Sequence, residues 1–177
     1  TPPVTTDRAK GDTKQADSWA KNSLGKRPLL ERDDGPCITE PHAICRYLEE
    51  LHPAPPLLGR TPVERAQVEM WNRRMELEIL LPLMHVFSHT HEMWKGVHTQ
   101  VAEWGEVCRE NTLARLAWLD DEIADREFIV NDSYTVADIT AQCALVLGKA
   151  VGVRVPEELS NVNAWFARVA ARPTARS

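Results

Sequence analysis

No stretch of this 177-residue chain approaches the roughly 20 apolar residues that a membrane-spanning helix needs, and nothing in it reads as a signal peptide. Its basic residues form no block, and the net charge of −5 argues against a nucleic-acid-binding surface. The four cysteines, Cys37, Cys45, Cys108 and Cys143, make no CxxC pair and no short regular spacing. Each sits in an apolar pattern, which predicts buried, reduced thiols and a cytoplasmic location. An internal repeat, a low-complexity tract and an initiator methionine are all missing, and the last points to a processed, trimmed or incomplete form. What is present is 43% hydrophobic residues, an ordinary share for a soluble globular protein with one large domain or two small ones.

The most informative segment runs from Lys26 to Leu48. Leu29 and Leu30 behind Pro28 read as a strand, Asp33-Asp34-Gly35 as a hairpin turn that uses glycine's tolerance of positive φ, and Cys37-Ile38 as a second strand. A helix then starts at Thr39 or Glu40, with Ala43, Ile44, Tyr47, Leu48 and Leu51 along one stripe. A carboxylate beside the amide-rich end of a helix suits a small zwitterion carrying an ammonium and a carboxylate.

Before this segment, residues 1–25 are polar, with a frayed strand expected near Val4 and a short helix near Ala16 to Lys21. After it, Pro53, Pro55, Pro56 and Gly59 mark residues 52–60 as a linker. Everything beyond reads helical. Thr61-Pro62-Val63-Glu64 combines an N-cap hydroxyl, a proline at the first helical position and a reciprocal capping glutamate. That helix runs through Met70, Trp71 and Leu77, with a kink or break expected at Pro82. A second long helix carries Trp104, Val107, Cys108, Leu116, Leu119 and Ile123 on one face, ends near Asp125, and pairs antiparallel with the first. Thr135 and Asp138 form a second capping box, with Tyr134 and Ile139 placed as a hydrophobic staple. The helix behind them, Val136 to Ala150, is apolar nearly all round and is expected at the buried centre. A last helix carries Trp165, Phe166 and Val169 and stops at Arg172-Pro173.

On these residues the chain, from about Val4 to Arg176, resembles the soluble glutathione transferases and looks closest to bacterial members. The resemblance implies an α/β plus all-α fold. An N-terminally incomplete thioredoxin-like glutathione-binding domain covers 1–51, a linker 52–60, and an all-helical C-terminal domain 61–177. In the family a first strand and helix carry the Ser, Tyr or Cys that activates the glutathione sulfur, and no position here corresponds to it. An absent first strand is expected to expose a sheet edge. Asn131 stands where the family often has glycine.

The resemblance also implies a peptide site. Arg27 pairs its backbone with the cysteinyl unit, Pro28 is held cis, and Glu40 meets the γ-glutamyl ammonium. Lys14 and Lys26 attract the glycyl carboxylate. Pro41 departs from the pattern, because the family's serine donates a hydroxyl to the γ-glutamyl carboxylate. Losing one charge-assisted hydrogen bond costs roughly 1.5–3 kcal/mol, or about ten- to a hundredfold in affinity. The electrophile pocket falls to Leu80, Leu83 and Phe87, for which core packing is an equal alternative. His85 and His89 stand one helical turn apart, as zinc ligands do, with His91 and Glu92 beyond. No glutamate follows the first histidine, so solvated or pocket-lining histidines are expected rather than a metal. Arg73, Arg74, Glu76 and Glu78 read as a solvated or subunit-facing charge cluster.

Two functions follow. One is conjugation of the glutathione thiolate to small hydrophobic electrophiles by a homodimer, without nucleic acid or membrane. The other is a non-catalytic, transferase-like scaffold dimer with a degenerate glutathione site.

Overall fold

The computed structural model describes residues 16–33, 35–130 and 132–173. The expected strand at Val4, and Lys14, Asp34 and Asn131, lie outside them. The chain divides into two compact units, 1–55 and 56–177.

In the first unit, α1 (Ala16–Lys21) leads into β1 (Leu29–Arg32), β2 (Gly35–Thr39) and α2 (Pro41–Leu51). The strands pair antiparallel, Leu29 opposite Thr39 and Leu30 opposite Ile38, and a bulge between Leu30 and Arg32 brings Arg32 opposite Gly35. Gly35 therefore ends up inside β2 without positive φ. A Cβ there would lie 3.0 Å from the Arg32 guanidinium, the flexible end of a side chain that would have to give by a few tenths of an ångström. Helix α2 begins at Pro41, one residue after the later of the two expected starts. None of its side chains is fully buried, and Leu48 and Leu51 on its apolar stripe are exposed.

The second unit is helical. The Thr61 hydroxyl accepts the Glu64 N–H at 3.2 Å, and the Glu64 carboxylate accepts the amides of Arg60 and Thr61, opening α3 (Pro62–Met75). Those backbone bonds hold the Glu64 carboxyl below its ordinary value.

Pro82 does not end the helix. A π turn over Glu76–Leu80 precedes α4 (Leu81–Thr90), and the Leu81 N–H reaches back five residues to the Glu76 carbonyl. In a regular α-helix the Pro82 ring would press against the Glu78 carbonyl. The wider turn stands where that clash would fall, so the chain stays helical to Thr90.

Helix α5 (Ala102–Glu122) runs antiparallel to α4, as the Arg115–Glu78 ion pair at one end and the Val101–His89 hydrogen bond at the other require. Its buried face is Gly105, Cys108, Thr112, Leu116 and Leu119; Trp104 and Val107, expected on that face, are exposed. A Cβ on Gly105 would sit 2.4 Å from the Thr90 methyl, so the two helices meet where the side chain is smallest.

Helix α6 (Val136–Ala150) buries Ala137, Ala141, Ala144 and Gly148 against its neighbours, while Cys143 and Val146 are exposed. Apolar residues surround it, but only one face is covered. Of the four cysteines, all free, only Cys108 is buried; Cys45 and Cys143 are exposed and Cys37 is intermediate. Helix α7 (Ser160–Ala170) buries Val162, Trp165 and Val169. Its cap comes from another element, because Asp120 of α5 accepts the Val162 N–H at 2.8 Å.

Asp138 is fully buried and joins three segments. Its carboxylate accepts the N–H of Ile129 (3.0 Å), the N–H and hydroxyl of Thr135 (2.9 and 3.3 Å) and the Trp165 indole N–H (2.8 Å). Beside this knot, Tyr134 packs edge-on against Phe128 and lies under the Arg172 guanidinium.

Of the expected charge cluster, Arg73 pairs with Glu76 and Glu78 with Arg115. Arg74 instead lies over the stacked rings of Trp71 and Trp118, with Arg126 also over Trp71.

Candidate functional site

The hairpin register builds the candidate peptide site. The ladder ends with Leu29 opposite Thr39, so Pro28 and Glu40 are the residues that flank its last pair. The Arg27–Pro28 bond is cis, as the family resemblance implies; Ala54–Pro55 is cis as well. The approach to Pro28 is organised by Asn22, the one buried polar residue of this unit among the described residues. Its Nδ2 donates to the Lys26 carbonyl at 2.8 Å, its Oδ1 accepts the Leu24 N–H, and its carbonyl accepts the N–H of Gly25 at φ 60. The sequence reading missed Asn22, although Asn22-Ser23-Leu24-Gly25 carries a turn signal.

Glu40 is the N-cap residue of α2, at φ 69 and ψ 123, with no side-chain capping bond. Among the described residues it is the only non-glycine residue at positive φ. Such a conformation costs on the order of 1–3 kcal/mol and concentrates at ligand sites. It turns the chain from β2 into α2 within one residue and leaves the carboxylate exposed at the positive end of an 11-residue helix. Pro41 occupies the first helical position and offers neither hydroxyl nor N–H. Lys26 is exposed, and its carbonyl serves the Asn22 turn.

The residues expected to meet an electrophile fall in unlike surroundings. Leu83 lies wholly inside the helical core, and Leu80 is partly buried against it. Phe87 is half-buried between the rings of His91 and Trp94, with centroids at 4.9 and 5.9 Å.

The histidines are engaged in hydrogen bonds. His85 Nδ1 accepts the Trp104 indole N–H at 3.3 Å, and His89 Nδ1 accepts the Val101 N–H at 3.1 Å. Among the described residues no group of three His, Cys, Asp or Glu side chains is arranged to hold a metal. None of the helices there is long and apolar enough to cross a membrane.

Comparison with known proteins shows the family. Residues 3–56 match the family model for the glutathione S-transferase N-terminal domain, and residues 77–173 match that for the C-terminal domain. Glutathione S-transferase 2 of Saccharomyces cerevisiae is 37% identical over 169 residues, spanning 94% of this chain and 72% of the yeast protein. A glutathione S-transferase domain-containing protein from Marinobacter aquaeolei superposes with a TM-score of 0.89 at 36% identity, over 97% of this chain and 85% of that one. Probable elongation factor 1-gamma 1 of Arabidopsis thaliana is 31% identical over 174 residues, which is 96% of this chain but 41% of that protein. With both domains matched and a close likeness in fold and sequence, the chain belongs to the glutathione S-transferase family.

Proposed function

We propose that the junction of β1 and α2 binds glutathione, and that the protein conjugates its thiolate to small hydrophobic electrophiles in a cytoplasmic, detoxifying role. The observation that supports this reading is the pairing of Leu29 with Thr39, which is preceded by the cis Arg27–Pro28 bond on one strand and followed by Glu40 at the start of α2 on the other. The main chain at Arg27 would pair with the cysteinyl unit, Glu40 with the γ-glutamyl ammonium, and Lys26 with the glycyl carboxylate. The γ-glutamyl carboxylate meets the positive end of α2 without a hydroxyl from position 41, so binding is weaker than a serine there would give. A hydrogen bond to the glutathione sulfur favours its charged form, and that is the chemical role of the family's activating residue. Leu80 and Phe87 are the expected lining residues that retain exposed surface for an electrophile.

A non-catalytic scaffold dimer with a weakened site is the second reading. Pro41 favours it, as does the likeness to a protein named for elongation rather than transfer.

Calorimetry with glutathione tests the site. Glu40→Gln turns a charge-assisted bond into a neutral one and weakens binding about tenfold. Pro41→Ser restores a hydroxyl and strengthens binding by about ten- to a hundredfold. A general loss of stability would not move adjacent positions in opposite directions. Absence of glutathione binding both in the parent and after Pro41→Ser would sink the assignment.

A further inference from the structure

Residues 22–28 carry the chain from α1 to β1, and Asn22 shapes them with both ends of its side-chain amide. Its Nδ2 donates to the Lys26 carbonyl at 2.8 Å, and its Oδ1 accepts the Leu24 N–H at 3.1 Å. A main-chain N–H only donates and a carbonyl oxygen only accepts, so the two ends of the amide cannot be exchanged. The Asn22 carbonyl takes the Gly25 N–H at 2.8 Å, which closes a turn inside the loop. Asn22 is 6% exposed, so water does not readily replace a bond lost there. Outside this knot Lys21 and Glu31 tie the ends of the loop at 2.7 Å, but the pair is exposed and such pairs hold little.

The Lys26 carbonyl is one half of a peptide group whose other half is the Arg27 N–H. That peptide is trans, so the group is flat and the N–H points away from the carbonyl. Holding the carbonyl on Asn22 therefore sets the direction of the Arg27 N–H. The Arg27 guanidinium reaches the same carbonyl at a longer 3.4 Å, from a flexible side chain at the surface. The buried amide of Asn22 is the firmer of the two donors.

We propose that Asn22 is a positioning residue for glutathione: through the Lys26 carbonyl it aims the Arg27 N–H at the cysteinyl carbonyl of the bound tripeptide. The assignment rests on the glutathione reading above and adds to it a buried side chain that acts only through the main chain. Without the Nδ2 donor the peptide can turn. The N–H then faces the ligand for only part of the time, and affinity falls by that fraction. Loss of one buried hydrogen bond corresponds to about tenfold. Asn22 also makes a turn, so aiming and folding must be told apart. Aspartate does this, because it has the same shape and keeps an oxygen for the Leu24 N–H, yet has no N–H for Lys26. If Asn22 only shaped the turn, Asn22→Asp would bind glutathione as the parent does.

Calorimetry on the whole chain compares glutathione with an analogue whose cysteinyl carbonyl is reduced to a methylene. In the parent the analogue should bind about tenfold more weakly than glutathione. Asn22→Asp should bind glutathione about tenfold more weakly than the parent, yet lose less than about threefold more on going to the analogue, because the N–H that the analogue cannot meet is no longer aimed. An analogue without the γ-glutamyl amino group should cost the same factor in both proteins, since Glu40 is untouched. Amide spectra of the parent give a readout that survives a poorly folding variant: glutathione should shift the Arg27 N–H, with the Asn22 side-chain NH2 protected from exchange before and after. A parent that binds no glutathione overturns the site and this role together. A parent that binds it while Asn22→Asp binds equally well, while the two losses simply multiply, or while the Arg27 amide stays unshifted, overturns the role of Asn22 alone.

Discussion

Replacing Asp138 by alanine removes the acceptor on which Ile129, Thr135 and Trp165 converge. As a helix cap alone the carboxylate would contribute about 1 kcal/mol. The structure asks for more, because three N–H donors would be stranded at a site with 0% exposure. Each buried unsatisfied donor costs about 1–3 kcal/mol, and partial relaxation around the vacated volume brings the sum to about 3–5 kcal/mol. That is a large share of the 5–15 kcal/mol, roughly, that holds such a domain folded. Asp138→Asn should fall between, at about 1–3 kcal/mol, because its oxygen still serves two donors while its NH2 faces the Thr135 amide. Urea unfolding should show both midpoints lowered with the slope unchanged, alanine more than asparagine. An alanine variant within about 1 kcal/mol of the parent would refute the convergence argument and leave only a local cap.

The same group gives a pH signature. Burial pushes the Asp138 carboxyl above the ordinary carboxylate range, against the downward pull of its bonds to Ile129, Trp165 and Thr135. A raised folded-state value means the folded chain holds this proton more tightly than the unfolded one. The contribution is then full below the ordinary Asp value, near 3.9, and lost as pH rises through the raised value. The stability gap between parent and Asp138→Asn should therefore narrow as pH rises from about 4.

Two further outcomes are expected. Gly105→Ala should destabilise by about 1–3 kcal/mol through the Thr90 methyl, and Thr90→Ser, which deletes that methyl, should recover most of the loss; thermal melts of the single and double variants check this. A homodimer through α3 and α4, where Met70, Leu77, Leu81 and Met84 are exposed, should sediment at about twice 20 kDa at micromolar concentration, and a stable monomer would exclude it.

Features written in adjacent residues were legible beforehand. Both capping boxes and the strand-strand-helix run depend on contacts a few positions apart, so sequence spacing reveals them. The faces of α5 and α6 depend on what packs against them. Gly105 and Thr112 are buried although neither is hydrophobic, because close helix approach selects for smallness at one and the Cys108 carbonyl accepts the hydroxyl of the other. Trp104 looks like a core residue by hydropathy, yet its N–H is spent on His85 at the hairpin's end. In the candidate site, the cis bond followed from resemblance, and a helix start near Glu40 followed from the apolar stripe behind it. The left-handed turn at Glu40 and the Asn22 brace required the backbone itself, since no glycine marks the first and the second works through main-chain atoms.

The π turn at Glu76–Leu80 carries a consequence for length variation. A turn closed by a five-residue step holds one residue more than the α-helical turn it replaces, so it behaves as an insertion absorbed without a loop. Deleting a single residue there would restore ordinary α-helical spacing and leave α4 in nearly the same rotation relative to α3, because the wider turn is what takes up the extra residue. Leu83 and Val86 would still face the core, but the ring of Pro82 would meet the carbonyl it now avoids. A chain can gain or lose residues cheaply in its surface connections; within this helix the extra residue is tied to the proline that follows it.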